Sequence, residues 1–187
     1  MKPLIVCAFY FGGVMFKSDG AAAFFAAWKG LCLDTPVPHY REAFQHLPAD
    51  IIPRLMIIEE MGDQQIVRFM GTARAEAWGE DLTGRNFLDI MTPSGAQVAR
   101  RNLKTMCEHP CAMYHMAHYV TALGREVHME NITVPVGNDP GLPRRLLNFL
   151  EEISTITYSD SAGEVGRAGK RAWLDVGAGV PKKQPAK

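Results

Sequence analysis

Cysteine is scarce in this 187-residue chain, with only Cys7, Cys32, Cys107 and Cys111. So few thiols cannot staple a domain of this length, so reduced thiols and a cytoplasmic address are expected. An excess of charge is also lacking, with 20 Lys/Arg against 20 Asp/Glu. The balance is uneven, because residues 34–154 hold 11 basic against 16 acidic side chains and both ends are net positive. An acidic body does not attract phosphate backbones, so nucleic-acid binding by it is not expected. No apolar run reaches the ~20 residues that span a bilayer. There is no Gly-x-Ser-x-Gly elbow, no Walker loop, no HExxH and no Gly-x-Gly-x-x-Gly after a strand. No catalytic residue is therefore assigned, and an enzyme is not expected.

What is present reads as one α+β domain with additions. Hydrophobic residues make up 47%, enough for a sizeable core. Residues 1–18 form an extension whose apolar run, Leu4–Phe16, is open to three readings: a disordered or misassigned start, a buried terminal strand, or an export signal. Residues 19–50 read as a helix and a Pro-rich strap. Asp19 is a candidate N-cap, and Phe24, Trp28 and Leu31 recur at helical spacing. Ile51–Ile58 and Gln65–Met70 flank Met61-Gly62-Asp63 as a hairpin. Thr72–Asp81, Asn86–Met91 and Pro93–Met106 read as helices, the last stopped before Pro110. Met113–Ala122 and Arg125–Val136 are strands around Leu123-Gly124, and Arg144–Ile156 is a last strand or a helix. The order predicts a five-stranded antiparallel sheet over residues 51–157, with short helices across one face. Residues 158–187, rich in Gly, Ser, Ala and Lys, are expected to be a disordered tail.

The segment from Gly71 to Pro93 resembles the centre of PAS domains, with Gly79, Leu82, Gly84, Arg85 and Pro93 at the expected spacings. Gly84 can supply a positive φ at a sharp turn, and Asn86 can cap the helix after it. More narrowly, the chain is similar to stand-alone bacterial PAS proteins once catalogued as a domain of unknown function. That likeness rests on Trp28, Pro36, Pro38 and Arg41, on Ile51–Pro53, and on Glu130 followed by Pro135. The resemblance implies a small-molecule pocket between sheet and helices, or a sheet face used for partners. Photochemical flavin use in that family needs a Cys near the Gly-Arg-Asn turn, where this chain has Phe87, so flavin is not expected.

Cys107, His109, Cys111, His115 and His118 crowd into twelve residues. Zinc wants four convergent ligands, whereas His115 and His118 alternate across a strand and Pro110 separates the two Cys. No metal site is assigned; haem through one histidine, such as His109 or His118, stays open, and the cofactor is otherwise unknown. Glu59-Glu60 and Glu151-Glu152 read as solvated charges. The candidate pocket is lined by Trp78, Phe87, Met91, Val98 and Met106 from the helices, with Met116, His118 and Tyr119 from the sheet. Phe24, Phe25, Trp28 and Leu31 expose more apolar surface than a lone helix should carry, which predicts burial on its own sheet or, preferred here, a homodimer interface. Two functions follow: a ligand-sensing signalling module acting on a partner in trans, or an adaptor with a filled core.

Overall fold

The computed structural model describes residues 10–32, 35, 37–158, 165–183 and 185. Expectations that fell on residues 1–9, Pro36 and residues 159–164 lie outside these. A hairpin of β1 (Tyr10–Phe11) and β2 (Val14–Met15) opens the described chain, followed by α1 (Asp19–Gly30) and α2 (Tyr40–His46). A 3-10 turn at Ile52–Arg54 leads into β3 (Leu55–Met61) and β4 (Gln64–Met70). Then come α3 (Thr72–Trp78), a 3-10 turn at Phe87–Ile90 and α4 (Pro93–Glu108). The strands β5 (Ala112–Val120), β6 (Arg125–Val136), β7 (Arg145–Tyr158) and β8 (Val165–Leu174) complete the fold. One antiparallel sheet runs β4-β3-β7-β6-β5-β8.

The sheet has six strands rather than five. Part of the expected tail forms β8, which pairs with β5 from Ala112↔Leu174 to Tyr119↔Val165. Its end is anchored by burial of Trp173, Leu174 and Val176. The stretch left open between helix and strand is β7, the longest strand, paired with both β3 and β6. The N-terminal extension is likewise part of the fold from Tyr10 on, because Val14 and Phe16 are buried in the main core.

Both faces of the sheet are covered, so register assigns every side chain to one of two interiors. On the outer face Ala112, Tyr114, Ile132, Val134, Leu147 and Phe149 meet α1, whose Phe24 stacks on Phe149 with centroids 5.2 Å apart. Ser18, not Asp19, caps α1: its Oγ accepts from Ala21 N at 3.1 Å. The fully buried Glu130 holds this joint, accepting from Lys17 N at 2.6 Å, Ser18 N at 2.8 Å and Ser18 Oγ at 2.7 Å. Phe24, Phe25 and Trp28 are 0–3% exposed within their own chain, and Leu31 packs beside them. The motive for a homodimer through this helix is removed, since its apolar face is already satisfied by the sheet.

The carboxylate pairs are also not plain solvated charges. Glu59 is 4% exposed and bridges Arg68 and Arg145, each at 2.7 Å. Its two guanidiniums hold it below the usual carboxylate range against the opposing effect of burial. Glu151 binds Arg54 at 2.7 Å and Glu152 binds Arg125 at 2.8 Å.

Candidate ligand-binding site

The inner face of the sheet, under α3, α4 and the Phe87–Ile90 turn, carries the unusual chemistry. Hydrogen-bonded neighbours form rows across the strands. One row reads Met56, Asn148, Thr133, Met113, Trp173, and the next reads Leu150, Asn131, His115, Arg171. Five polar side chains therefore stand together where a core would ordinarily be apolar. They are linked: Asn131 Nδ2 donates to the Tyr119 hydroxyl at 3.2 Å, and Asn148 Nδ2 donates to Thr133 Oγ1 at 2.9 Å and Asn131 Oδ1 at 3.4 Å. Asn131, Thr133 and Asn148 are all buried.

Two adjoining cavities lie above these rows. The polar one, about 70 Å³, is bounded by Asn148, Thr133, Met113, Asn131, His115 and Arg171 of these rows, together with Ile58, Phe87, Met91, Asn102, Leu103 and Tyr119. Its apolar neighbour, about 30 Å³, lies against Met70, Trp78, Leu82, Phe87, Ile90, Tyr119 and Leu150, with Arg74 at its wall. Phe87 and Tyr119 belong to both. Three polar atoms of the lining residues have no hydrogen-bond partner among the described residues: His115 Nδ1 and Asn148 Oδ1 at the polar cavity and Trp78 Nε1 at the apolar one. Buried polar atoms are nearly always paired, and each left unmade costs about 1–3 kcal/mol.

Charge is concentrated here too. Arg74 is 7% exposed, and its Nη1 donates to the Asn148 carbonyl at 3.2 Å. Burial pulls its guanidinium down to about 10. Burial, then Arg171 and Arg74, push the His115 imidazole down to about 3, so it is neutral at physiological pH. Burial raises the Tyr119 phenol against the pull of the same two arginines. The thiols of Cys107 and Cys111 are pushed up to about 12 by burial and stay protonated.

Of the residues picked from sequence, Trp78, Phe87, Met91 and Tyr119 line these cavities. Met106 does not, being packed under α4 with Leu103, Cys111 and Trp173; Val98 also borders neither. Met116 and His118 are corrections of a plainer kind. They lie one residue out of phase with Tyr119, so Met116 joins the core under α1. His118 meets Glu126 at 3.3 Å and the His128 ring at 5.9 Å. His118 is thus removed as a haem ligand inside the cavity, and His109, the C-cap of α4, borders neither cavity. Sequence reasoning missed Arg74, His115, Asn131, Thr133, Asn148 and Arg171. The available signal was a lone polar residue inside an otherwise apolar strand, such as Asn148 between Leu146-Leu147 and Phe149-Leu150.

A family model described as PAS domain matches residues 16–151. No curated protein sequence matches the chain. Among solved structures, the Rhodobacter sphaeroides LOV protein is similar at 16% identity and a TM-score of 0.44, covering 54% of this chain and 58% of that one. The chain thus spans under two thirds of that protein. A fungal LOV domain photoreceptor is similar at 13% identity and a TM-score of 0.42, covering 53% and 73%. The PAS domain of Bordetella pertussis BvgS is similar at 14% identity and a TM-score of 0.41, covering 60% and 88%.

Proposed function

The chain belongs to the PAS domain family, and from that premise we propose that it is a sensory module that binds one small molecule and acts on a signalling partner in trans. The reading places the small molecule on the inner face of the sheet. One observation carries it: Asn131, Thr133 and Asn148 are buried, and two polar atoms of residues that line the cavity, His115 Nδ1 and Asn148 Oδ1, have no hydrogen-bond partner among the described residues. A core evolved only for packing would hold apolar side chains at these positions, since unpaired polar atoms destabilise it.

The residues of the cavity wall disfavour light as the stimulus. Phe87 occupies the cavity wall at the turn where a reactive Cys is needed, and none of Cys32, Cys107 and Cys111 borders either cavity. The signal is then chemical, and it is read as bacterial and cytoplasmic. Among the described residues no helix is long and apolar enough to cross a membrane.

The adaptor reading is favoured by one observation, the small cavity volumes, which fall below the ~300 Å³ of most drug-sized sites. Native mass spectrometry of the purified chain, set against its denatured mass, separates the two. A native species heavier by one small molecule, released on unfolding, supports the sensor. A native mass equal to the bare chain under the same conditions favours the adaptor.

A further inference from the structure

We propose that the cleft between α4 and the segment that follows β8 is a second binding site, one that takes a small phosphorylated organic molecule. Its volume is about 460 Å³, within the ~300–1,000 Å³ of small-molecule sites and far larger than either inner-face cavity. Arg101 lines it from α4 and Lys182 and Lys183 from the segment after β8, with Asn102, Thr105 and Trp173 between them. The cleft is separate from the inner-face cavities, although the buried Asn102 borders both it and the polar one.

The segment is held there by contacts that owe nothing to charge. Trp173 Nε1 donates to the Lys183 carbonyl at 2.8 Å, and Trp173, Val176 and Pro185 are buried. These anchors bring two lysines to a cleft that already carries an arginine. Among the described residues no Asp or Glu borders the cleft, and none of the three cations has an ion-pair partner. The acids of the same two elements are engaged elsewhere. Glu108 meets Lys104 at 3.8 Å, and Asp175 Oδ1 accepts from Gly177 N at 2.8 Å and Gly179 N at 2.9 Å. Residues 34–154 hold more acids than bases, so a basic segment placed by charge would settle beside carboxylates. Apolar anchoring instead sets three like charges around one space, and a local conflict of this kind is the mark of a functional site. The counter-charge they call for is an anion of more than one charge. A phosphate monoester carries about −1.5 to −2 at neutral pH. Lysine ammoniums meet it as point charges, and a guanidinium fork grips two of its oxygens. The volume exceeds that of phosphate alone, and the Trp173 and Pro181 side of the wall suits an organic body.

Calorimetry on the full chain, with ribose 5-phosphate, adenosine monophosphate, adenosine, citrate and inorganic phosphate as probes, tests the assignment. Saturable binding of at least one of the two phosphate esters is expected, with none for adenosine. Arg101→Ala, and Lys182→Ala combined with Lys183→Ala, change exposed side chains. Each variant should weaken ester binding by roughly fivefold or more while leaving the melting temperature of the unliganded chain in place. If citrate binds and neither ester does, the phosphate assignment is overturned. If inorganic phosphate binds as tightly as the esters, the organic body is overturned. If adenosine binds as tightly as its monophosphate, the charge argument fails. Esters that bind both variants unchanged, or that show no saturation with the unmodified chain, overturn the site itself.

Discussion

Single residues set both the turn chemistry and the acid response. Gly84 has a φ of +85°, and its N–H donates to Val67 O at 2.8 Å while Arg85 O accepts from Val67 N at 2.9 Å. A β-branched residue there must be strained, so Gly84→Val should lower stability by about 1–3 kcal/mol in a thermal or urea melt. The Arg85 side chain, half-exposed and paired with Glu80, should matter far less. This turn was legible because glycine announces a backbone need. The polar row was not legible, since Asn131, Thr133, His115 and Asn148 each look like an ordinary surface residue until register brings them together. His115 supplies the pH prediction. It binds a proton near pH 6.5 when unfolded and only near 3 when folded. The unfolded state holds more protons in that window, so this contribution is present above pH 6.5 and is lost as pH falls toward 3. His115→Gln should therefore show a shallower drop in melting temperature between pH 6.5 and about 4. An unchanged slope would mean His115 is protonated in the folded chain.

At the level of elements, the helices and the two hairpins could be read from periodicity, caps and turn residues, while β8 could not. Its sequence, VGRAGKRAWL, lacks alternation and is rich in Gly and charge; only pairing with β5 and the anchors Trp173 and Leu174 make it a strand. The pairing also explains why Arg171 reaches the candidate site from a segment that looks like tail. The start of α1 was read one residue late for a related reason. Ser18 is an ordinary cap in sequence, but here its hydroxyl both caps the helix and donates to Glu130, 112 residues away. Glu130 receives three hydrogen bonds from Lys17 and Ser18. Removing a buried charged acceptor of this kind typically costs about 1.5–3 kcal/mol. Glu130→Ala should lose about that much and loosen α1 first, which hydrogen exchange at Ala21 and Ala22 would reveal. Uniform exchange across the chain would show that the joint is not a separate unit.

The whole molecule is a sheet with two covered faces, and this decides how its apolar helix is understood. Sequence alone leaves open whether Phe24 and Trp28 face their own sheet or another chain, because amphipathicity states that a face is buried and not by what. The structure buries Trp28 fully against its own core, so Trp28→Ser should cost about 3–5 kcal/mol of monomer stability, with no dissociation step to observe. Sedimentation showing a folded variant that has merely lost a partner copy would contradict this.

The opposite face carries the central claim, that a small molecule sits over the side chains of Asn131, Thr133 and Asn148. The most direct measurement is the methyl NMR spectrum of chain labelled at methionine, recorded before and after adding the low-molecular-weight fraction of a bacterial extract. Met91 and Met113 border the polar cavity, Met116 lies under α1 on the other face, and Met15 and Met61 are exposed. The account predicts that the Met91 and Met113 signals move and saturate while those of Met116, Met15 and Met61 stay in place. Signals that move only at Met116, or a spectrum unchanged throughout, would contradict it.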